Sequence, residues 1–189
     1  MREYLEILMP VLHTGKATFE GEELTARTFA PVRVAGASAP PVVVAALGTQ
    51  MLNLAGRLAD GTALWMVGER TIASHIVPTI TKAAEAAGRP APRVVVGLPV
   101  SVTIDPDGAR ERAVAAFGYY DNLPSYKAML NKEGVEGPAD VAIVGDEKQV
   151  AASLHRLFDA GATELSLPVF GTSEERGRTL ALLSELGKE

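Results

Sequence analysis

The run from Pro41 to Val67, PVVVAALGTQMLNLAGRLADGTALWMV, holds a complete structural unit. An apolar segment, Val42 to Leu47, stops at Gly48. Met51, Leu54, Ala55 and Leu58 then recur on one helical face, Asp60-Gly61 closes the helix, and a second apolar segment runs from Thr62 to Val67. Strand, tight turn, helix, strand is a βαβ unit. Two strands joined through a helix lie parallel, with a right-handed crossover. The Gly48 turn places free backbone N–H groups of a helix N-terminus just past the carboxyl end of a strand, a position that favours anions, phosphate above all.

The same alternation continues downstream. Arg70 to Ala87 predicts a helix with Ile72, Ile76, Ile80, Ala83 and Ala87 inward, a kink or a junction of two helices at Pro78, and an end at Gly88. Arg93 to Ile104 (RVVVGLPVSVTI) is apolar almost throughout, as a strand covered on both faces should be. Asp105-Pro106 reads as the N-cap and first residue of a helix whose inner face carries Ala109, Ala113, Ala116, Phe117 and Tyr120. Asn122 to Gly145 is irregular apart from a helix over Ser125–Lys132. Asp146 with Gln149 has the capping-box pattern and opens a helix with Val150, Leu154, Leu157 and Phe158 inward, stopped by Gly161. Thr163 to Phe170 (TELSLPVF) is the fourth strand, and Thr172 with Glu175 is a second capping box, opening a last helix to about Leu186. Upstream, Glu3 to Leu12 reads as the closing turns of a helix with Tyr4, Leu5, Leu8 and Met9 facing one way. Residues 13–41 read as an insertion or loop region, with a short hairpin within His13–Arg33 and a loop over Ala35–Pro41.

A chain of 189 residues suits one domain, 1–189, with a sizeable core. Its 47% apolar and 22% charged residues are ordinary for a globular protein, and few aromatics suit helices packed closely on a parallel sheet. A net charge of −5 with no basic stripe argues against a nucleic-acid partner. The absence of cysteine excludes a disulfide framework, a thiolate metal site and a cysteine nucleophile. No segment approaches the roughly 20 apolar residues of a membrane span, and the start, MREYLEILMP, is charged within its first residues, so a cytoplasmic protein is expected.

The order β-α-β-α-β-α-α-β-α points to a parallel α/β architecture, either an open doubly wound sheet or part of a (β/α)8 barrel. A complete barrel needs eight strands and roughly 250 residues. Four strands are half of that, and a helix at the first residue reads as continuing something ahead of it, so the half barrel is the favoured expectation. A nucleotide-binding doubly wound domain would want a GxGxxG fingerprint after Val42–Leu47, and none is present.

AALGTQMLNLAGRLADG, ALWMVGERTI and HIVPTITKAAEAAGRP, followed by VVVGLPVSVT, VAIVGDEKQVAASL and GATELSLPVF, resemble in order and spacing the C-terminal half of the luciferase-like monooxygenase family, and within it the deazaflavin (coenzyme F-420)-dependent oxidoreductases. The likeness runs from Arg2 to about Leu186. It implies a TIM-barrel-type fold of which the four strands are the fifth to eighth, with Leu24–Arg33 in the insertion region. It also implies that the turn after the first of them holds the cofactor phosphate, at Ala45, Ala46, Leu47, Gly48 and Thr49. The family usually has proline after the glycine; Thr49 stands there instead and adds a hydroxyl donor. Trp65, Met66 and Val67 match positions lining the cofactor pocket. Val67-Gly68 stands where some relatives carry a cation for a phosphorylated substrate, which weakens a sugar-phosphate reading. The family's catalytic residues lie in its first four strands, so no catalytic residue is assigned here. The cofactor implied is coenzyme F-420, with FMN as the alternative, and the partner a small organic substrate.

Each of these residues has a plainer reading. Gly48 serves any strand-to-helix turn, and Trp65 suits core packing as well as the wall of a ring pocket. His13, His75 and His155 are scattered, with no ligand spacing, and read as surface or helix-edge residues rather than metal ligands. Asp105 and Asp107 are explained by helix capping. Phe117, Tyr119, Tyr120 and Tyr126 read as core or helix-packing residues. Two functional expectations follow. One is an oxidoreductase to which this chain contributes the phosphate site. The other is a non-catalytic cofactor-binding or dimerisation module, because a half barrel leaves two strand edges and an apolar inner face that another copy, or a separate half, would cover.

Overall fold

The computed structural model describes residues 1–188. Helix α1 (Arg2–Thr14) leads into a hairpin of β1 (Thr18–Glu20) and β2 (Thr25–Arg27), within the segment where a hairpin is expected. Then come β3 (Val43–Ala45), α2 (Thr49–Leu58) and β4 (Gly61–Trp65), the βαβ unit read from the sequence, paired in parallel with Val43 opposite Gly61. α3 (Glu69–Thr71), a π-helical turn (Ile72–Ile76) and α4 (Val77–Ala86) run on as one helix. The junction expected at Pro78 is a change of helix type: α4 opens at Val77 with Pro78 in its first positions, and the Val77 N–H donates to Ile72 C=O, an i−5 bond that closes the π turn ahead of the proline.

β5 (Arg93–Gly97) pairs with β4 on one side and with β8 (Glu164–Ser166) on the other, giving the parallel sheet β3-β4-β5-β8. The long strand expected over Arg93–Ile104 is in fact two. After Leu98-Pro99 the chain resumes as β6 (Val100–Val102), which pairs with β7 (Ile143–Gly145), while Val100 also bridges Val169 beyond β8. β4 lets go at the Trp65–Gly97 pair, so past that point the strand needs a new neighbour, and β7 supplies it. This short strand lies inside the stretch read as irregular. The remaining α-helices are α5 (Pro106–Phe117), α6 (Pro124–Glu133), α7 (Glu147–Asp159) and α8 (Ser173–Leu186), with short 3-10 turns at Gly118–Asn122 and Pro138–Val141. The caps form as their sequences require: Asp105 accepts from Gly108 N–H, and both capping boxes, Asp146/Gln149 and Thr172/Glu175, close.

Alternation along the strands separates two faces. Val44, Ala46, Leu64, Val94 and Val96 are buried beneath Leu52, Ala55, Ile76 and Ile80 of the helices. Each Val, Leu or Ile among them contributes about 1.5–3 kcal/mol by leaving water. On the opposite face Val43 and Ala45 are exposed and Ala63, Trp65 and Val95 half-buried. Four expected inner positions differ: Tyr4, Ala87, Ala116 and Phe158 are exposed, whereas Glu3 is buried. The Glu3 carboxylate accepts from the N–H groups of Glu22, Glu23 and Leu24 at 2.8–3.0 Å, tying the hairpin turn to α1, which is why an acid lies inward there. No helix among the described residues is long and apolar enough to cross a membrane.

Candidate functional site

The carboxyl end of β3 is held from several directions. The buried Thr62 hydroxyl donates to Val44 C=O at 2.9 Å and lies 3.3 Å from Ala46 C=O. Asp60 grips the start of the strand through its N–H to Val42 C=O and its carboxylate on Val42 N–H, each 2.7 Å, and Arg89 in turn donates to Asp60 at 3.0 Å. The turn itself is therefore fixed while its polar groups face out. Ala46 is buried, Leu47 half-buried, and Ala45, Gly48 and Thr49 are exposed. The first bond of α2 runs from Leu52 N–H to Gly48 C=O, no side chain caps the helix, and no acidic residue stands in its first turn. The N–H groups of Thr49, Gln50 and Met51 thus have no intrahelical acceptor, and the positive end of the helix dipole is uncompensated. Gly48 has ordinary extended angles (φ −81°, ψ 153°), and a Cβ built on it would meet nothing within 4 Å. The fold does not demand glycine here; its effect is to leave the N–H groups uncovered.

The next turn makes the comparison. β4 ends at Trp65, Met66 takes a left-handed conformation (φ 55°), and Gly68 (φ −80°, ψ 169°) leads into α3 in almost the same geometry as Gly48. Here the helix start is covered. Glu133, the last residue of α6, accepts from Arg70 N–H at 3.1 Å and from Thr71 N–H at 2.8 Å. A Cβ on Gly68 would fall 2.3 Å from the Glu133 carboxyl carbon, so glycine is required for this carboxylate to seat. The two turns are linked, because His75 Nε2, in the helix after Gly68, donates to Leu47 C=O at 3.0 Å. His75, which reads from sequence as a bland helix-edge residue, thus braces the candidate turn.

Of the three positions expected to line a pocket, Met66 and Val67 are completely buried, and only Trp65 presents surface. A Cβ on Gly97 would lie 2.9 Å from Trp65 Cε3, so the indole rests over β5 where that residue has no side chain. Phe117 and Tyr120 meet the indole edge-to-face at 6.2 and 5.9 Å, Phe170 meets Phe117 at 5.6 Å, and Tyr126 meets Tyr120 at 5.0 Å. Phe117, Tyr120 and Tyr126, expected as core or helix-packing residues, join Trp65 and Phe170 in one aromatic cluster at the carboxyl ends of the strands. Burial pushes the Tyr126 phenol above its ordinary pKa. The indole Nε1 is buried with no acceptor, a polar group that packing alone does not explain. Deeper on the same face, Arg93 forms a two-pronged pair with Glu164, one prong being Nε to Oε1 at 2.6 Å. The hydrogen bond to Glu164 raises the Arg93 pKa, and Arg93 holds the Glu164 carboxyl below the usual range. On the outer side, a groove of about 720 Å³ between α2 and α4 starts at Thr49 and carries Arg57 and Lys82.

The sequence model of the luciferase-like monooxygenase family matches residues 1–164. Solved structures of similar fold include a coenzyme F-420-dependent tetrahydromethanopterin reductase from Methanopyrus kandleri. It is 20% identical with a TM-score of 0.75, and the match covers 97% of this chain and 60% of the reductase. An F-420-dependent secondary alcohol dehydrogenase, solved with an F-420–acetone adduct, is 18% identical with a TM-score of 0.68, covering 88% of this chain and 54% of the dehydrogenase. The oxygenating constituent of 3,6-diketocamphane monooxygenase from Pseudomonas putida, solved with FMN, is 17% identical with a TM-score of 0.63, covering 96% and 59%. The chain thus spans between half and two thirds of the length of these proteins. Its parallel sheet flanked by helices matches part of their TIM-barrel fold. The chain belongs to the luciferase-like monooxygenase family.

Proposed function

We propose that the chain forms the cofactor-phosphate seat and one wall of the ring pocket of an oxidoreductase that moves hydride between coenzyme F-420, or FMN, and a small organic substrate. The observation that carries this reading is the contrast between two adjacent turns of like geometry. One has its helix start filled by Glu133; the other, at Gly48, has bare N–H groups and open space before it. A phosphate suits that space: the N–H groups of Thr49, Gln50 and Met51 and the Thr49 hydroxyl would hold it, with the helix dipole favouring its charge. Ala45, small and exposed on the inner face, leaves room beside the seat, and half-buried Trp65 offers a flat wall. Met66 and Val67 anchor that wall from behind. The bound cofactor supplies the redox chemistry, while the residues of this chain bind and orient it.

Titration of F-420 and of FMN, followed by cofactor fluorescence, tests the reading. Saturable binding by the natural chain is expected, and its loss in Gly48→Asp. Aspartate is a good N-cap, so the variant stays folded while its carboxylate fills the seat and repels phosphate. Equal binding by both proteins would refute the assignment.

A second reading, association through the open side of the sheet, draws on the β3 and β8 edges, which have no strand beyond them among the described residues, and on exposed Val43. Sedimentation at several concentrations decides it: a strictly monomeric mass throughout counts against it.

A further inference from the structure

The groove of about 720 Å³ between α2 and α4 is lined by polar groups that the chain itself does not use. Arg57 on α2 and Lys82 on α4 are both exposed, and among the described residues neither comes within 4.0 Å of a carboxylate. Glu6 shares a separate small hollow with Arg57 and stays beyond that distance. On other helices Arg112, Arg156 and Arg178 each hold a glutamate. Thr49, Gln50, Asn53 and Thr79 line the same groove, and none of their side chains hydrogen-bonds to another described residue. The hydroxyls of Thr14, Ser74, Ser153 and Thr179 show the contrast: each donates to the carbonyl four residues back, at 2.6–2.9 Å. The floor is apolar and fixed. A Cβ on Gly56 would fall 2.5 Å from the Ile80 carbonyl oxygen and 2.8 Å from Ala83 Cβ, so the two helices meet in direct contact there.

Two cations and four unspent polar side chains, with no acid among the lining residues, suit an extended anion. One end of the groove is the Gly48 turn, since Thr49 belongs to both. Arg57 lies eight residues further on in α2, about 12 Å along the helix axis. We propose that this groove binds a carboxylate-bearing chain attached to the cofactor phosphate, and so selects coenzyme F-420 over FMN. The phosphate of FMN is a terminal monoester with nothing beyond it. That of F-420 is a diester and continues through lactate into glutamyl residues, each bringing a carboxylate. With the phosphate on the N–H groups of Thr49, Gln50 and Met51, a glutamyl carboxylate comes within reach of Arg57 and Lys82, and the Gln50 and Asn53 amides donate to the carbonyls on the way. The assignment rests on the phosphate seat proposed above and adds the residues that tell the two cofactors apart.

Fluorescence titrations of the full chain test it, with three ligands: F-420, F-420 stripped of its glutamyl residues, and FMN. The natural protein is expected to bind F-420 roughly three- to tenfold more tightly than the stripped form, an advantage that shrinks with added salt. The double variant Arg57→Gln/Lys82→Gln changes two exposed side chains and keeps the natural melting temperature. It loses the advantage, while its affinity for the stripped form and for FMN holds within about twofold. Lys148→Gln, on α7 away from the groove, controls for charge and keeps the advantage. Equal affinity of the natural chain for F-420 and the stripped form overturns the proposal. So does an equal loss for both ligands in the double variant, or a lost advantage in the control. The stripped form reports on the seat by itself: if it binds as tightly as F-420, the groove fails and the seat stands. If none of the three ligands binds, the seat fails and the groove assignment falls with it.

Discussion

His75 Nε2 donates to the carbonyl of Leu47 at 3.0 Å, joining the helix that follows one strand to the turn that follows its neighbour. The bond commits the Leu47 carbonyl, one residue before the N-cap of α2, to a partner outside that helix. Replacement by leucine removes the donor and leaves a partly buried carbonyl to find water. A cost of about 1 kcal/mol is expected, or roughly 2–4 °C in melting temperature. If the Gly48 turn is the phosphate seat, cofactor affinity falls several-fold as well. An unchanged affinity together with the lower melting temperature would reduce His75 to a purely structural brace.

Gly48 and Gly68 share backbone angles and differ in what stands over them, so one substitution at both sites isolates that difference. Gly68→Ala drives a Cβ to within 2.3 Å of the Glu133 carboxyl carbon, and the carboxylate must leave its two N–H donors. Thermal melts should show a loss of about 1–3 kcal/mol. Gly48→Ala meets nothing, and its stability should change by less than about 1 kcal/mol, the weaker N-cap of alanine being offset by its smaller unfolded-state entropy. Comparable losses at the two sites would contradict the contrast on which the cofactor seat depends.

The parts of this fold readable in the sequence are those whose cause is local. The βαβ unit follows from the spacing of apolar residues, and the caps at Asp105, Asp146 and Thr172 from neighbours within three positions. The same local pattern located the turn at Gly48, and the likeness to a known family implied which anion it would take. What escaped notice depends on long-range partners. Glu133 reaches Thr71 across 62 positions, and nothing near it in sequence marks it as anything but a helix-end acid. Arg93 reaches Glu164 across 71. The break at Leu98-Pro99 follows from a change of neighbour, β4 giving way to β7, which no single strand's pattern encodes. A signal was present in part: proline cannot donate to a ladder, so Pro99 within an apolar run marks a point where pairing changes.

Acid should unfold this protein through a small set of carboxylates. For Glu175, burial alone would raise the pKa, but the Thr103 hydroxyl, the Thr172 N–H and hydroxyl, and the Arg112 charge outweigh it and hold the carboxyl below its ordinary range. For Glu3, burial is likewise outweighed by the N–H groups of Leu24, Glu23 and Glu22. A group depressed in the folded state contributes fully above its unfolded pKa, about 4.3 for glutamate, and loses that contribution as pH falls through the folded value. Melting temperature is therefore expected to be level from neutral pH to about 5 and to drop steeply below about 4.5. Glu175→Gln should melt lower at neutral pH, since partly buried Arg112 loses its close partner and keeps only Asp105 at 3.9 Å, and should lose less on acidification. Parallel pH profiles for the two proteins would rule out Glu175 as a source of the acid sensitivity.

Trp65 is the single tryptophan of the chain, so its emission reports on the candidate ring wall alone. The indole rests over Gly97, in register with it across the β4–β5 pair, and its buried Nε1 has no acceptor. Gly97→Ala places a Cβ 2.7 Å from Leu64 C=O and 2.9 Å from Trp65 Cε3. The backbone oxygen cannot yield, so the strand pair must open or the ring must swing toward Phe117 and Tyr120. Overpacking of this kind costs about 1–3 kcal/mol. The emission maximum should move with the ring, because the unpaired N–H gains access to water as its packing loosens. In the natural protein, bound F-420 or FMN should quench the same emission, and the concentration giving half quenching should agree with that from cofactor fluorescence. Cofactor binding that leaves Trp65 emission untouched would place the ring away from this wall and limit the chain's contribution to the Gly48 turn.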